Sequence, residues 1–147
     1  MLKKISILLS LFCTVLLIAT AAYAADVDPD TVLGDWKVDS QDDDATQVTI
    51  YKCDDKYCGK FSFLKDPEAL DEKNPDESKR SQKLMGMNFV WGFEFDDDEW
   101  SDGNIYDPRS GKTYDCKMWF EDDNYDVLNV KGYVLFIGKT STWYRVK

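Results

Sequence analysis

Histidine is absent from this 147-residue chain. That removes the commonest general base, the usual zinc and copper ligand, and every Ser-His or Cys-His nucleophile pair. Positive charge is also in short supply, with 18 Lys and Arg against 28 Asp and Glu and a formal net charge of -10. Such an excess disfavours nucleic acid and anionic membrane surfaces as partners. It suits solubility, a basic protein partner or a cationic ligand. After the first eighteen residues there is no second long apolar run, so no spanning segment is expected beyond that point. No internal repeat and no domain boundary is visible.

Paired carboxylates are the acid-base chemistry that remains. They fall mainly in turns such as Asp96-Asp97-Asp98-Glu99, where water keeps a carboxylate ordinary, whereas catalytic carboxylates need burial or a charged neighbour. A calcium loop fails on its spacing. Asp98, Asp102 and Gly103 take the first, fifth and sixth positions, but Trp100 stands third and supplies no oxygen. Ser110-Gly111-Lys112-Thr113 looks like part of a phosphate-binding loop, yet the upstream glycine is missing and a strand, not a helix, follows. No catalytic residue, metal or cofactor is expected, and the chain reads as a non-enzyme.

The chain opens with Lys3 and Lys4, continues through an apolar run over 5–18, and reaches Ala22-Tyr23-Ala24, the small-x-small pattern a signal peptidase accepts. The reading is a cleaved signal peptide over 1–24 and one exported, periplasmic or secreted domain over 25–147. Cys13 leaves with the leader, as do Lys3 and Lys4, so the mature chain carries 16 basic and 28 acidic residues and a charge of -12. In an oxidising compartment Cys53 and Cys58, flanking the turn-like Asp54-Asp55-Lys56-Tyr57, are expected to form a disulfide. Cys116 shares its alternation with Tyr114, Met118 and Phe120 and reads as a buried thiol.

Period-two patterning recurs over 32–38, 45–52, 59–65, 88–95, 100–106, 112–121, 127–133 and 138–146, with turn signals between. Consecutive hairpins are the economical topology, which gives an all-β, eight-stranded, antiparallel up-and-down barrel. Phe89, Trp91, Phe93 and Phe95 share one side of their strand, and Phe61 and Phe63 one side of theirs, so these rings are expected inside. Such an interior is either filled by side chains or able to hold one small ligand. The first and last strands of a closed barrel adjoin. Gly34-Asp35-Trp36 and Trp143-Tyr144-Arg145 are therefore expected to lock the ends, with the indole of Trp36 near the guanidinium of Arg145.

One connection, over 66–83, is much longer than a hairpin needs. Asn74 as cap, Pro75 at the first position, Glu77 three after the cap and Gly86 as stop predict a short helix over 75–84. Between the third and fourth strands it is placed across one mouth of the barrel, as a ligand lid or as a plain cover over the core.

With these motifs assembled, the chain resembles a family of small exported bacterial proteins catalogued as a domain of unknown function, DUF2147. The match rests on Gly34-Asp35-Trp36, Tyr51-Lys52-Cys53 with Tyr57-Cys58-Gly59, Asn74-Pro75-Asp76, Ile105-Tyr106-Asp107-Pro108 with Gly111-Lys112-Thr113-Tyr114 and Cys116, Lys131-Gly132-Tyr133, and Thr142-Trp143-Tyr144-Arg145. The resemblance implies a lipocalin-like barrel and brings no activity or catalytic residues with it.

Two functions from different classes follow. The first is a periplasmic protein that binds a small hydrophobic or amphipathic ligand or serves envelope maintenance, with Phe89, Trp91, Phe93, Tyr114 and Met118 lining the cavity and Arg80 and Tyr133 as polar contacts at its mouth. The second is an acidic module, an inhibitor or immunity factor, directed at a cationic enzyme of the cell wall.

Overall fold

The computed structural model describes residues 26–147. The expected leader over 1–24 and Cys13 lie outside that range. Among the described residues no helix is long and apolar enough to cross a membrane.

Alternating side chains and short turns close the chain into one antiparallel barrel, each strand bonded to the next and the last to the first. The strands are β1 (Gly34–Val38), β2 (Gln47–Cys53), β3 (Lys56–Phe63), β4 (Asn88–Asp96), β5 (Glu99–Asp107), β6 (Lys112–Phe120), β7 (Val127–Val134) and β8 (Ile137–Arg145). Closure runs through Trp36 opposite Arg145, Lys37 opposite Tyr144 and Val38 opposite Trp143. β1 starts later than the alternation predicts, because Pro29–Val32 winds into a 3-10 turn capped by the Asp28 side chain. β3 starts earlier, because Asp54 takes a positive φ of 57° and tightens the turn.

The N-terminal turn closes one end of the barrel. Val32 is fully buried, the Trp36 indole donates to its carbonyl at 2.9 Å, and the Trp100 indole donates to Pro29 O at 3.2 Å. Arg145 lies 4.2 Å over the Trp36 ring and donates to the carbonyls of Thr31, Leu33 and Tyr125. The end lock is thus present and larger than a cation-π pair, since the guanidinium also satisfies the backbone of two loops. Gly34 serves it through its φ of 117°, whereas a Cβ there would only touch Arg145 at an ordinary 3.7 Å.

Inside, Trp36, Trp100, Trp143, Phe93, Met118 and Leu128 are fully buried. Phe61 stacks on Phe89 at 4.0 Å, and Phe89 meets Trp143 at 6.0 Å. A Cβ on Gly103 would fall 2.3 Å from the Phe93 ring, so that ring occupies the space a side chain would need. The Cys53–Cys58 disulfide is formed across the β2–β3 turn, and Cys116 is free and buried.

Three expectations need correction, two about facing and one about the helix. The β3–β4 register shifts twice, and Gly92 sits at φ 83°. The alternation therefore slips within β4: Phe89, Val90 and Phe93 are buried while Trp91 is turned out and 37 % exposed. Phe63 lies at the rim, also exposed, beyond a register shift at Gln47 and Val48. The helix of the β3–β4 connection is a single 3-10 turn, Glu77–Lys79, rather than ten residues, and its cap is Asp76, not Asn74.

Candidate functional site

Part of the β3–β4 connection, from Asp71 to Gln82, lies along the outer wall of the barrel, while its ends pack Leu64, Leu84 and Met87 against the core. Tyr106 pairs with Thr113 on the outward face of β5 and β6, and it is buried only because the connection covers it. Its hydroxyl donates to Asp71 Oδ1 at 2.7 Å. Asp71 is fully buried and takes a second donor, Asn74 Nδ2, on its other oxygen at 2.6 Å. A buried carboxylate is tolerated when donors replace its water, and here two do so. Burial, with the neighbouring Asp71, pushes the Tyr106 hydroxyl up to about 12, so it remains a donor at any physiological pH.

Backbone pairing shapes the rest of this strap. Leu70 bridges Lys83, the Asp71 amide bonds Gln82 O and the Leu84 amide bonds Ala69 O. Phe61 and Gly86–Met87 exchange bonds where the strap rejoins the sheet. At its other edge Gly111, at φ 67°, meets the Lys73 carbonyl so closely that a Cβ would sit 1.9 Å from that oxygen.

Between strap and wall runs an open cleft of about 760 Å³. Its floor is the outer face of the sheet, with Tyr51, Lys60, Asn88 and Trp91, and its bank is Asn74, Pro75, Lys79 and Gln82 from the strap. The Tyr51 hydroxyl donates to Asn88 Oδ1 at 2.7 Å, and Lys60 Nζ stands 5.5 Å over the Tyr51 ring. Lys60 forms no ion pair among the described residues. The arrangement offers one small solute the Trp91 face, several amides and an ammonium that has no ion pair among the described residues.

The sequence-predicted ligand residues separate across the wall. Phe89, Phe93 and Met118 are buried inside, and Tyr114 faces inward half-buried, opposite Ile105. Trp91 lines the outer cleft. Tyr133 points outward, opposite Asp115 and Gly138. Arg80 donates to Asn74 O and pairs with Glu77 within the strap. They do not converge on one cavity.

Sequence reasoning missed Tyr51, Lys60, Asp71, Asn88 and Tyr106. A signal existed for Tyr106, because it falls on the opposite face of β5 from Ile105, and a large aromatic on a strand's wet face asks for a cover. Tyr106, bonded to Asp71, and Gly111, against the Lys73 carbonyl, are the points at which the wall holds the strap.

Comparison with known proteins agrees with this architecture. No curated protein matches the chain. Among solved structures the chain is similar to protein HP1028 from the human pathogen Helicobacter pylori, which belongs to the lipocalin family. The TM-score is 0.68 at 19 % identity, covering 79 % of this chain and 83 % of that one, a likeness that concerns the fold. The family model described as an uncharacterised protein conserved in bacteria, DUF2147, matches residues 34–145, from the first strand to the last, and the chain therefore belongs to the DUF2147 family with a lipocalin-like barrel.

Proposed function

We propose that this is an exported, periplasmic binding protein that holds a small amphipathic ligand in the outer-wall cleft beneath the strap, and that it is not an enzyme. The observation that carries the reading is the contrast between the two sides of one wall. Inside, Phe93, Cys116 and Met118 have no surface a water molecule can touch, whereas outside, Trp91, Tyr51, Asn88 and Lys60 stand open around about 760 Å³. Aromatic faces bind the flat apolar side of a ring, amides fix its hydroxyls, and Lys60 favours an anionic substituent. An acidic saccharide has that chemistry.

The titratable groups support binding over catalysis. Cys116 and Tyr106 are both pushed up to about 12, chiefly by burial, which moves them away from the neutral range where a nucleophile or base works.

Titration of tryptophan fluorescence with neutral and acidic saccharides tests the proposal. Saturable quenching by an acidic saccharide, abolished in Trp91→Ala and weakened in Lys60→Gln, is the expected result. Absence of saturation, or a response unchanged by Trp91→Ala, overturns it, and uptake of a fatty acid in its place would return the ligand to the interior.

A second reading rests on charge placement. The turns at the end closed by Pro29–Val32 carry Asp54, Asp55, Asp97, Asp98, Asp122 and Asp123. An acidic end of this kind raises encounter rates with a basic protein, such as a cationic cell-wall enzyme. Capture of such an enzyme that is lost at high salt would favour this reading over the cleft.

A further inference from the structure

The turn that joins β7 to β8 breaks a rule the chain keeps elsewhere. Eight non-glycine residues of the described chain carry a positive φ, and seven of them are aspartates: Asp39, Asp54, Asp97, Asp98, Asp102, Asp122 and Asp123. Aspartate enters the left-handed region at modest cost because its short side chain bonds locally. The eighth is Leu135, at φ 56°, which has no such compensation. Nor does the fold reward it. Leu135 is 83 % exposed, Phe136 fully exposed and Ile137 84 % exposed, and Val134 before them is also exposed. Asparagine or glycine would make this turn without strain and without wetting four apolar side chains. The tip therefore answers to something outside the chain.

A second observation gives the chemistry of its surroundings. Below the tip lies a shallow depression of about 300 Å³ lined by Lys117, Lys131 and Tyr133, with Leu135 and Phe136 as its lip. Both oxygens of Glu99 hold Lys117 at 2.9 Å. Lys131, and Lys139 on the other strand of the hairpin, form no ion pair among the described residues. Along the hairpin the order is an apolar point, then a tyrosine, then unpaired ammonium groups, which is the order of a bilayer from hydrocarbon to headgroup.

We infer that the β7–β8 hairpin is an interfacial anchor, inserting Leu135, Phe136 and Ile137 among the acyl chains of a phospholipid bilayer while Lys131 and Lys139 meet anionic headgroups. The shape favours a fluid partner. A convex two-residue point offers too little area for a stable protein interface of about 800 Å² a side, whereas hydrocarbon accommodates any shape. The acidic net charge does not forbid it, because screening limits each charge to a range of about 8 Å at physiological salt. Of the carboxylates near the hairpin, Asp39 accepts from Ser141 and Thr142, Glu99 holds Lys117, and Asp115 lies opposite Tyr133. Whole-chain charge averages over every face of the barrel, so it sets no limit on a single hairpin tip. The anchor is independent of the cleft, which lies on the β2–β6 side.

Vesicle flotation of the exported, leader-processed protein provides the test. Wild type should float with vesicles of equal parts phosphatidylcholine and phosphatidylglycerol. Leu135→Asn with Phe136→Ser should lower the vesicle partition constant by well over tenfold, since withdrawing even one large apolar side chain from hydrocarbon costs about that factor. Lys131→Glu should weaken binding to these vesicles and leave binding to pure phosphatidylcholine unchanged. Near-ultraviolet circular dichroism must show the wild-type fold, and Phe136→Ser alone repeats the test at a residue that packs against nothing. Failure of wild type to float, which includes the case of a tip that captures a protein instead, overturns the anchor, as does flotation unchanged by the tip substitutions.

Discussion

At Gly111 a single methyl group decides whether the strap stays down. The position combines a φ of 67° with a backbone carbonyl, Lys73 O, at 1.9 Å from where a Cβ would stand, and a carbonyl in the chain cannot swing aside as a side-chain tip can. Gly111→Ala is expected to cost about 1–3 kcal/mol of local strain. The strap should bear that cost by lifting, while the barrel stays closed. Hydrogen exchange is the measurement: the amides of Asp71 and Leu84, bonded to Gln82 O and Ala69 O, should lose protection while those of β8 keep theirs. Equal protection in both proteins would remove the strap's dependence on this contact. Cys116 and Tyr106 give a prediction of the opposite kind, in alkali. Burial raises both from ordinary values of 9.0 and 10.0 to about 12. Above each ordinary value the unfolded chain releases its proton while the folded chain keeps it, so stability is whole below that value and falls as pH rises towards 12. Urea midpoints should therefore begin to fall above about pH 9 in wild type. In Cys116→Ala the fall should begin about one pH unit later, where tyrosine takes over.

The elements were legible to very different degrees, and the reason is which interactions fix them. All eight strands can be read from alternation, because a side chain every second residue must be dry on one face whatever the rest of the chain does. The slips within β4 cannot, since Phe89, Val90 and Phe93 are buried through register breaks that depend on the partner strand. The strap misled in another way. Asn74-Pro75-Asp76 has the chemistry of a helix start, and one 3-10 turn does begin at Asp76. Then the bridge between Leu70 and Lys83 draws the following residues into extended pairing, and the helix stops. Tertiary pairing outweighed local capping. The cleft was illegible for the same reason, because only the strap's position against Tyr106 creates it. The barrel's end lock could be read in outline, and its function as an element can be tested. Arg145 supplies donors to Thr31, Leu33 and Tyr125 and covers Trp36, so it ties the N-terminal turn, the β6–β7 turn and β8 together. Lysine has the charge but neither the planar fork nor the face. Arg145→Lys is expected to lose about 3 kcal/mol, from two or more partly buried carbonyls left without donors. Thermal unfolding would measure it, and a midpoint within a degree or two of wild type would show the lock to be ornamental.

At the scale of the whole molecule the question is whether this barrel is a container or a wall. Eight strands close a sheet just wide enough to be filled or to hold one small ligand, and the inward aromatic rings are compatible with either. Packing decides between them. Were the axis hollow, a methyl group added to an inward glycine would point into space and be harmless or mildly stabilising. Here the Cβ of Gly103 would fall 2.3 Å from Phe93, and that of Gly59 would fall 2.6 Å from Val90 and 3.3 Å from Val48. Phe93 has nowhere to retreat, since Met118, Cys116 and Trp100 are as deeply buried as it is. Gly103→Ala should therefore destabilise the fold by about 1–3 kcal/mol, the ordinary cost of overpacking a full core. It should do so without changing the response of Trp91 to a ligand on the outer wall. The two measurements, urea unfolding and fluorescence titration on the same variant, separate the alternatives. A container would show an unaltered midpoint and impaired uptake, whereas a wall shows a lowered midpoint and unimpaired binding, because the interior then supports the site without being part of it.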